Sequence, residues 1–154
     1  MVTGADGFVG KIVCHRLIES GYTPRAGLWD GGLWPALQAA VPGTNEFSII
    51  GDLGANPDLS AALAGVFAVV HLAARVHVMH DKAFDPLQEF RRVNLAGTAA
   101  LAQAAAAQGV RRFVFVSTAK VNGDSTSATP FTEEDPPDPQ DPYAVSKWEA
   151  EEAL

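Results

Sequence analysis

A chain of 154 residues with 47% apolar and 19% charged side chains has the composition of one folded globular domain, able to bury about 70% of its unfolded surface without disulfides or a metal. Eleven Lys+Arg against eighteen Asp+Glu leave a net charge of −7, which argues against a protein that tracks nucleic-acid phosphates, and the lone Cys14 excludes a disulfide framework and suits a reducing compartment. No apolar stretch approaches the roughly 20 residues of a membrane span and no signal peptide opens the chain, so a cytoplasmic protein with neither membrane nor nucleic-acid partners is expected.

Short β-branched runs alternate with Ala/Leu-rich stretches, the pattern of βαβ units on a parallel sheet. Val2-Thr3 reads as a strand stub, followed by a glycine turn and a helix from Phe8 to Ser20 that carries Val9, Ile12, Val13, Leu17 and Ile18 on one side and ends at Gly21. A weak strand over Arg25 to Trp29, an ill-defined stretch with a short helix up to Gly43, and a strand over Glu46 to Ile50 come next. A short helix over Pro57 to Ala64 leads to the apolar run Val66 to Leu72, and a long helix spans Asp85 to Gln108. The continuous run Val110 to Val116 suits a strand covered on both faces, and a Pro/Asp/Ser/Thr-rich loop then delivers the chain into a helix from Tyr143 onward. The fold class is α/β, a doubly wound parallel sheet forming one domain over 1–154. Because only Met1 and Val2 precede the first motif and Leu154 falls within a helical stretch, the domain is expected to be incomplete at both ends.

Gly4, Gly7 and Gly10 stand between a strand and a helix, the context a phosphate-binding turn requires. Gly4 permits the tight turn, Gly7 lets backbone approach a pyrophosphate, and Gly10 lets helix and strand pack closely, while the helix N-terminus offers unpaired N–H groups. The plainer reading is a glycine turn without a ligand. Asp52, at the end of the third strand, suits either an acceptor for adenine's amino group or a helix cap. Asp30 lies about where an acidic residue would hold the ribose hydroxyls of NAD, but its register is open, and Arg25 is no evident clamp for a 2′-phosphate. NAD is the expected cofactor, with NADP not excluded.

Tyr143 and Lys147, four apart, share one face of the last helix. A phenol titrates near pH ~10, too high for a general base, and a neighbouring ammonium would lower it. Ser117 and Thr118 end a buried strand, where open α/β sheets bind ligands, and either hydroxyl could hold a substrate oxygen and relay its proton. A solvated helix face and a strand-end cap are the bland alternatives.

The stretches VTGADGFVG (2–10), GDL (51–53), VVHLAA (69–74), VNLAGT (93–98), FVSTAKVNG (115–123) and DPYAVSK (141–147) together resemble the extended short-chain dehydrogenase/reductases, in particular the nucleotide-sugar epimerase/dehydratase family typified by UDP-glucose 4-epimerase. The resemblance implies a Rossmann domain with cofactor contacts from Gly4, Gly7, Phe8, Val9, Gly10, Asp52, Leu53, Ala73 and Ala74. It implies Tyr143 as the base, Lys147 as the group that tunes it and holds the ribose, Thr118 on the sugar 4-hydroxyl, and Asn94 and Ser117 in support. A UDP-sugar substrate, a homodimer and a C-terminal substrate lobe lying outside these residues are implied as well. Sugar 4,6-dehydratases of the family carry Asp-Glu after the residue matching Thr118; here Ala119 and Lys120 stand there, which argues against a dehydratase. Lys120-Val121-Asn122-Gly123 and the run His71 to His80 suggest the branch of UDP-N-acetylhexosamine 4-epimerases and 4-ketoreductases of polysaccharide synthesis. A one-way 4-ketoreductase, and a non-catalytic dinucleotide-binding domain, remain the alternatives. His71, His77 and His80 lack a cysteine partner, so no metal is expected. Cys14 reads as a core residue, and Trp29 and Trp34 as packing groups rather than a wall for adenine.

Overall fold

Each strand is followed by helical turns, and neighbouring strand residues point to opposite faces, so the chain winds helices onto both sides of one parallel sheet. The computed structural model describes residues 1–76, 84–126 and 129–154. The strands are β1 (Val2–Thr3), β2 (Arg25–Leu28), β3 (Glu46–Ile49), β4 (Ala68–His71) and β5 (Arg112–Phe115), in the order β3-β2-β1-β4-β5. The helices are α1 (Phe8–Glu19), α2 (Trp34–Ala40), α3 (Ser60–Leu63), α4 (Pro86–Phe90), α5 (Gly97–Ala107) and α6 (Pro142–Glu152). All pairings are parallel, with Val2 opposite Ala26 on one side and Val70 on the other.

Two cores result, one on each face of the sheet. Met1, Leu53, Leu63, Val69 and Leu101 pack on the α3/α5 face, while Val2, Cys14, Ala26, Leu28 and Leu37 pack on the α1/α2 face. Consecutive residues such as Met1 and Val2 thus serve different layers. Trp34 stacks on Phe47 with ring centroids 4.7 Å apart, a packing role as its sequence suggested.

Several expectations change. The strand at Val110 to Val116 is an edge among the described residues rather than covered on both faces: β5 pairs with β4, and Val114 is 50% exposed. On α1, Val9 and Ile12 are exposed because the helix seats its Gly10/Cys14 side on the sheet. The long helix is interrupted by a π-helical turn at Arg91–Ala96 between α4 and α5. Directly after it, Gly97 passes so close to the turn following β3 that a Cβ there would lie 2.9 Å from Leu53 Cβ. Short 3₁₀ turns at Leu53–Ala55 and Ala119–Val121 went unforeseen in the sequence.

Leu101 is fully buried in the α3/α5 core, so Leu101→Ala leaves a cavity and should cost about 2–5 kcal/mol, read as a lower midpoint in urea denaturation.

Candidate functional site

Strand order reverses about β1, with β2 on one side and β4 on the other, and a crevice opens outside their carboxyl ends. Gly4 sits at φ +65°, and a Cβ there would come 2.9 Å from the Ala73 nitrogen. A Cβ on Gly10 would overlap the Gly4 carbonyl and lie 2.7 Å from Ala5 Cα. These glycines let α1 begin directly against the turn. Gly7 is its N-cap, with no side-chain cap and no acidic residue in the first turn. The leading N–H groups of α1 therefore have no helical partner and present partial positive charge.

The crevice holds a cavity of about 560 Å³. Gly4, Gly7, Phe8, Val9, Gly10, Leu53, Ala73, Ala74, Ser117, Tyr143 and Lys147, all named from sequence, line it. Asp52, Asn94 and Thr118 do not. Asp52 spends its carboxylate elsewhere: Oδ1 accepts from Gly54 N at 2.9 Å and Oδ2 pairs with Arg92 at 2.7 Å. This is the cap reading, strengthened by an ion pair that local sequence could not show. Asp30 likewise caps a turn, accepting from Gly32 N at 2.7 Å, and Arg25 is engaged with Glu46 and the carbonyls of Ala62 and Ala64. Trp29, by contrast, does line the cavity and is 58% exposed, so its expected packing role gives way to a wall.

At the end of β4, Thr3 Oγ1 accepts from the backbone N–H of Leu72 and of Ala73, each at 3.1 Å. Its own proton is then left for His71 Nδ1, 2.7 Å away, and His71 Nε2 must donate to Thr98 Oγ1 at 2.9 Å. The ring is neutral, held so by burial that pulls its pKa from 6.5 to about 3, with the Lys147 charge adding to the effect. His71 is thus a structural strut beneath the Ala73–Ala74 wall. His77 and His80 lie outside the described residues, and no group of metal-ligating side chains occurs among those described.

Asp141 accepts from Ala144 N at 2.7 Å and Pro142 occupies the first helical position, which together start α6. Lys147 is 3% exposed. Its Nζ donates to the Val116 carbonyl at 2.7 Å and sits 3.7 Å from the centre of the Phe115 ring, and burial lowers its pKa from 10.5 to about 8. The expected direct tuning of Tyr143 by Lys147 is not what this arrangement does. Burial raises the phenol pKa above 10; a hydrogen bond with Thr118 opposes the rise, Asp141 adds to it, and the cation acting against it is Lys120. Sequence reading singled out Lys120 only for departing from the dehydratase pattern and missed its place near the phenol; its ammonium is itself anchored to Asp141 at 2.5 Å. Ser117 Oγ is buried with no hydrogen-bond partner among the described residues.

The π turn braces this helix. Asn94 accepts from Arg75 N at 2.8 Å and donates to Ser146 Oγ at 3.0 Å, and Ser146 donates to the Tyr143 carbonyl at 2.7 Å. One turn earlier, Arg91 grips Glu149 through two bonds of 2.5 and 2.8 Å.

A sequence profile described as the NAD dependent epimerase/dehydratase family matches residues 1–154. The chain belongs to that family. It is 40% identical to UDP-glucose 4-epimerase of Vibrio cholerae over 100% of its own length and 45% of that protein. It is 33% identical to dTDP-glucose 4,6-dehydratase of Streptomyces antibioticus over 96% of the chain and 45% of the relative. Among solved structures, UDP-glucose 4-epimerase from Stenotrophomonas maltophila with bound NAD and formylated UDP-arabinopyranose aligns with a TM-score of 0.82 at 26% identity, covering 98% of this chain and 46% of that one. The dTDP-glucose 4,6-dehydratase of Streptomyces venezuelae, also with NAD, aligns at 0.78 and 33% identity over 99% of this chain and 49% of that one. The chain spans just under half the length of these relatives. The doubly wound fold and the family membership read from the motifs are both borne out.

Two titrations test the site's electrostatics. The unfolded His71 ring binds a proton near pH 6.5 and the folded ring only near 3, so stability is lost as pH falls through that window; at pH 5, imidazole ¹⁵N shifts should still report a neutral, Nε2-protonated His71. Lys147 has the same sign at higher pH: its folded pKa of about 8 lies below its unfolded 10.5, so below pH 8 the buried charge costs stability. Lys147→Met should therefore raise the unfolding free energy at pH 7 by on the order of 1 kcal/mol, measured by urea denaturation, with the gain shrinking as pH rises toward 10.5.

Proposed function

We propose that this chain supplies the NAD-binding and catalytic half of a nucleotide-sugar 4-epimerase acting on a UDP-hexose or UDP-N-acetylhexosamine. The observation that carries the reading is that Ser117, Tyr143 and Lys147 open onto the same cavity as the glycine turn and the uncapped N-terminus of α1. The residues present fit a dinucleotide: unpaired N–H groups for a pyrophosphate, close backbone approach where a Cβ would collide, and an orphaned buried hydroxyl at Ser117 that lacks an acceptor or donor. Bound there, NAD supplies a reversible hydride acceptor for the sugar C4.

Tyr143 is the proton acceptor for the sugar 4-hydroxyl. Burial keeps its phenol protonated at neutral pH, so the Thr118 hydrogen bond and the Lys120 charge work toward the phenolate that the reaction needs. Lys147 lines the cavity, and its ammonium, bonded to the Val116 carbonyl, has further N–H donors to offer a ligand there. Ala119 and Lys120 stand where dehydratases of the family carry Asp-Glu, and Lys120 is committed to Asp141, so no second acid–base pair is present there to eliminate water. The 40% identity to a 4-epimerase supports the same choice. The reading carries a second copy of the protein as partner and the cytoplasm as its location.

In the whole protein, Tyr143→Phe should lower turnover of UDP-sugars by about 10²-fold or more while NAD affinity stays within about twofold. Unchanged turnover would leave a dinucleotide-binding domain without the catalysis. Turnover that stops when external NADH or NADPH is withheld would replace the epimerase with a 4-ketoreductase.

A further inference from the structure

Among the described residues the cavity is lined by two charged side chains, Asp6 in the glycine turn and Lys147 on the β5 side. Where β2 and β3 end, its wall is Gly27, Trp29, Ile50, Gly51 and Leu53, without a charge. A carboxylate at the end of the second strand reads the ribose 2′-hydroxyl of NAD and repels the 2′-phosphate of NADP, whereas a nearby Arg accommodates that phosphate. Neither device lines the cavity among the described residues. The residue that follows β2 is Trp29, an indole 58% exposed on the cavity. Asp30 comes one position later, is exposed and off the wall, and closes a turn onto Gly32 N. Two arginines beside β2 and β3 are engaged elsewhere: Arg25 holds Glu46 and two carbonyls, and Arg92 holds Asp52 and Glu89.

We infer that this chain holds the adenosine end of its dinucleotide by the flat face of Trp29, which does not read the 2′ position, so that NAD and NADP bind with comparable affinity. The inference rests on the dinucleotide reading above. Stacking on an indole responds to the base and is indifferent to a phosphate on the ribose beside it. What discrimination remains is long-range. The net charge of −7 disfavours the more anionic NADP, and salt screens that effect over about 10 Å at 0.1 M.

Calorimetric titration of the whole protein, freed of any co-purified dinucleotide, with NAD and with NADP, at low and at high salt, tests this. The two dissociation constants should agree within about tenfold at low salt and converge further at high salt. Trp29→Ala should weaken both by about tenfold and keep their ratio; Trp29→Asp should push the ratio toward NAD by tenfold or more; Asp30→Asn should leave it unchanged. A ratio above tenfold at high salt, or one that Asp30→Asn abolishes, overturns the inference while leaving the dinucleotide site intact. Binding of neither dinucleotide overturns the site itself and the inference with it.

Discussion

Three backbone segments meet beside β1 with no room for a single added carbon. The turn at Gly4–Ala5, the first turn of α1 at Gly10 and the chain leaving β4 at Ala73 are in van der Waals contact through main-chain atoms alone. Everything at the crevice follows from that contact. It aims the free N–H groups of α1 across the carboxyl ends of the strands, and it draws in the β4 exit that forms the opposite wall. The Thr3 hydroxyl then secures that exit by accepting from two of its N–H groups. These positions tolerate no side chain because main-chain atoms of the neighbouring segments already occupy the space.

On the other side of the crevice the constraint is electrostatic. Lys147 carries its charge into a nearly sealed position, where a carbonyl and an aromatic face partly replace the water it has lost. Tyr143, on the same helix face, is likewise held away from its ionised form by burial. Burial thus disfavours the charged form of both groups, and brings the lysine's titration down to about pH 8. Stability is lowered where chemistry is prepared, and the surrounding cores bear the cost.

How much of this was legible beforehand depended on how local each signal is. The glycine turn, the start of α6 after Asp141-Pro142 and the alternation of strands and helices are written within a few residues each, and they reappear nearly where they were read. Side-chain commitments made across long sequence separations were not legible. Asp52 looked free for a ligand because Arg92, forty residues away, is its partner only in the fold. Lys147 was expected to face the phenol because the helix puts the two on one side, yet the Val116 carbonyl and the Phe115 ring claim its ammonium. Trp29 was misjudged for a related reason: an aromatic residue beside a weak strand packs in most settings, and only the position of the crevice shows that this one faces open space. The apolar run ending in Val116 could not report that its strand lies at a sheet edge, because hydrophobic content does not encode neighbours.

The π turn between α4 and α5 has a consequence for how the two halves of that helix are phased. A π turn carries an extra residue compared with an α turn, so the sequence before Arg91 and the sequence after Ala96 are offset by about 100° around the common axis. Arg91 faces α6 and Arg92 faces the β3 side, while α5 still presents Leu101 and Ala105 to the sheet. The turn acts as a vernier: it lets one rod answer to α6 at one end and to the sheet at the other, and loss of one residue within it would disturb that phasing.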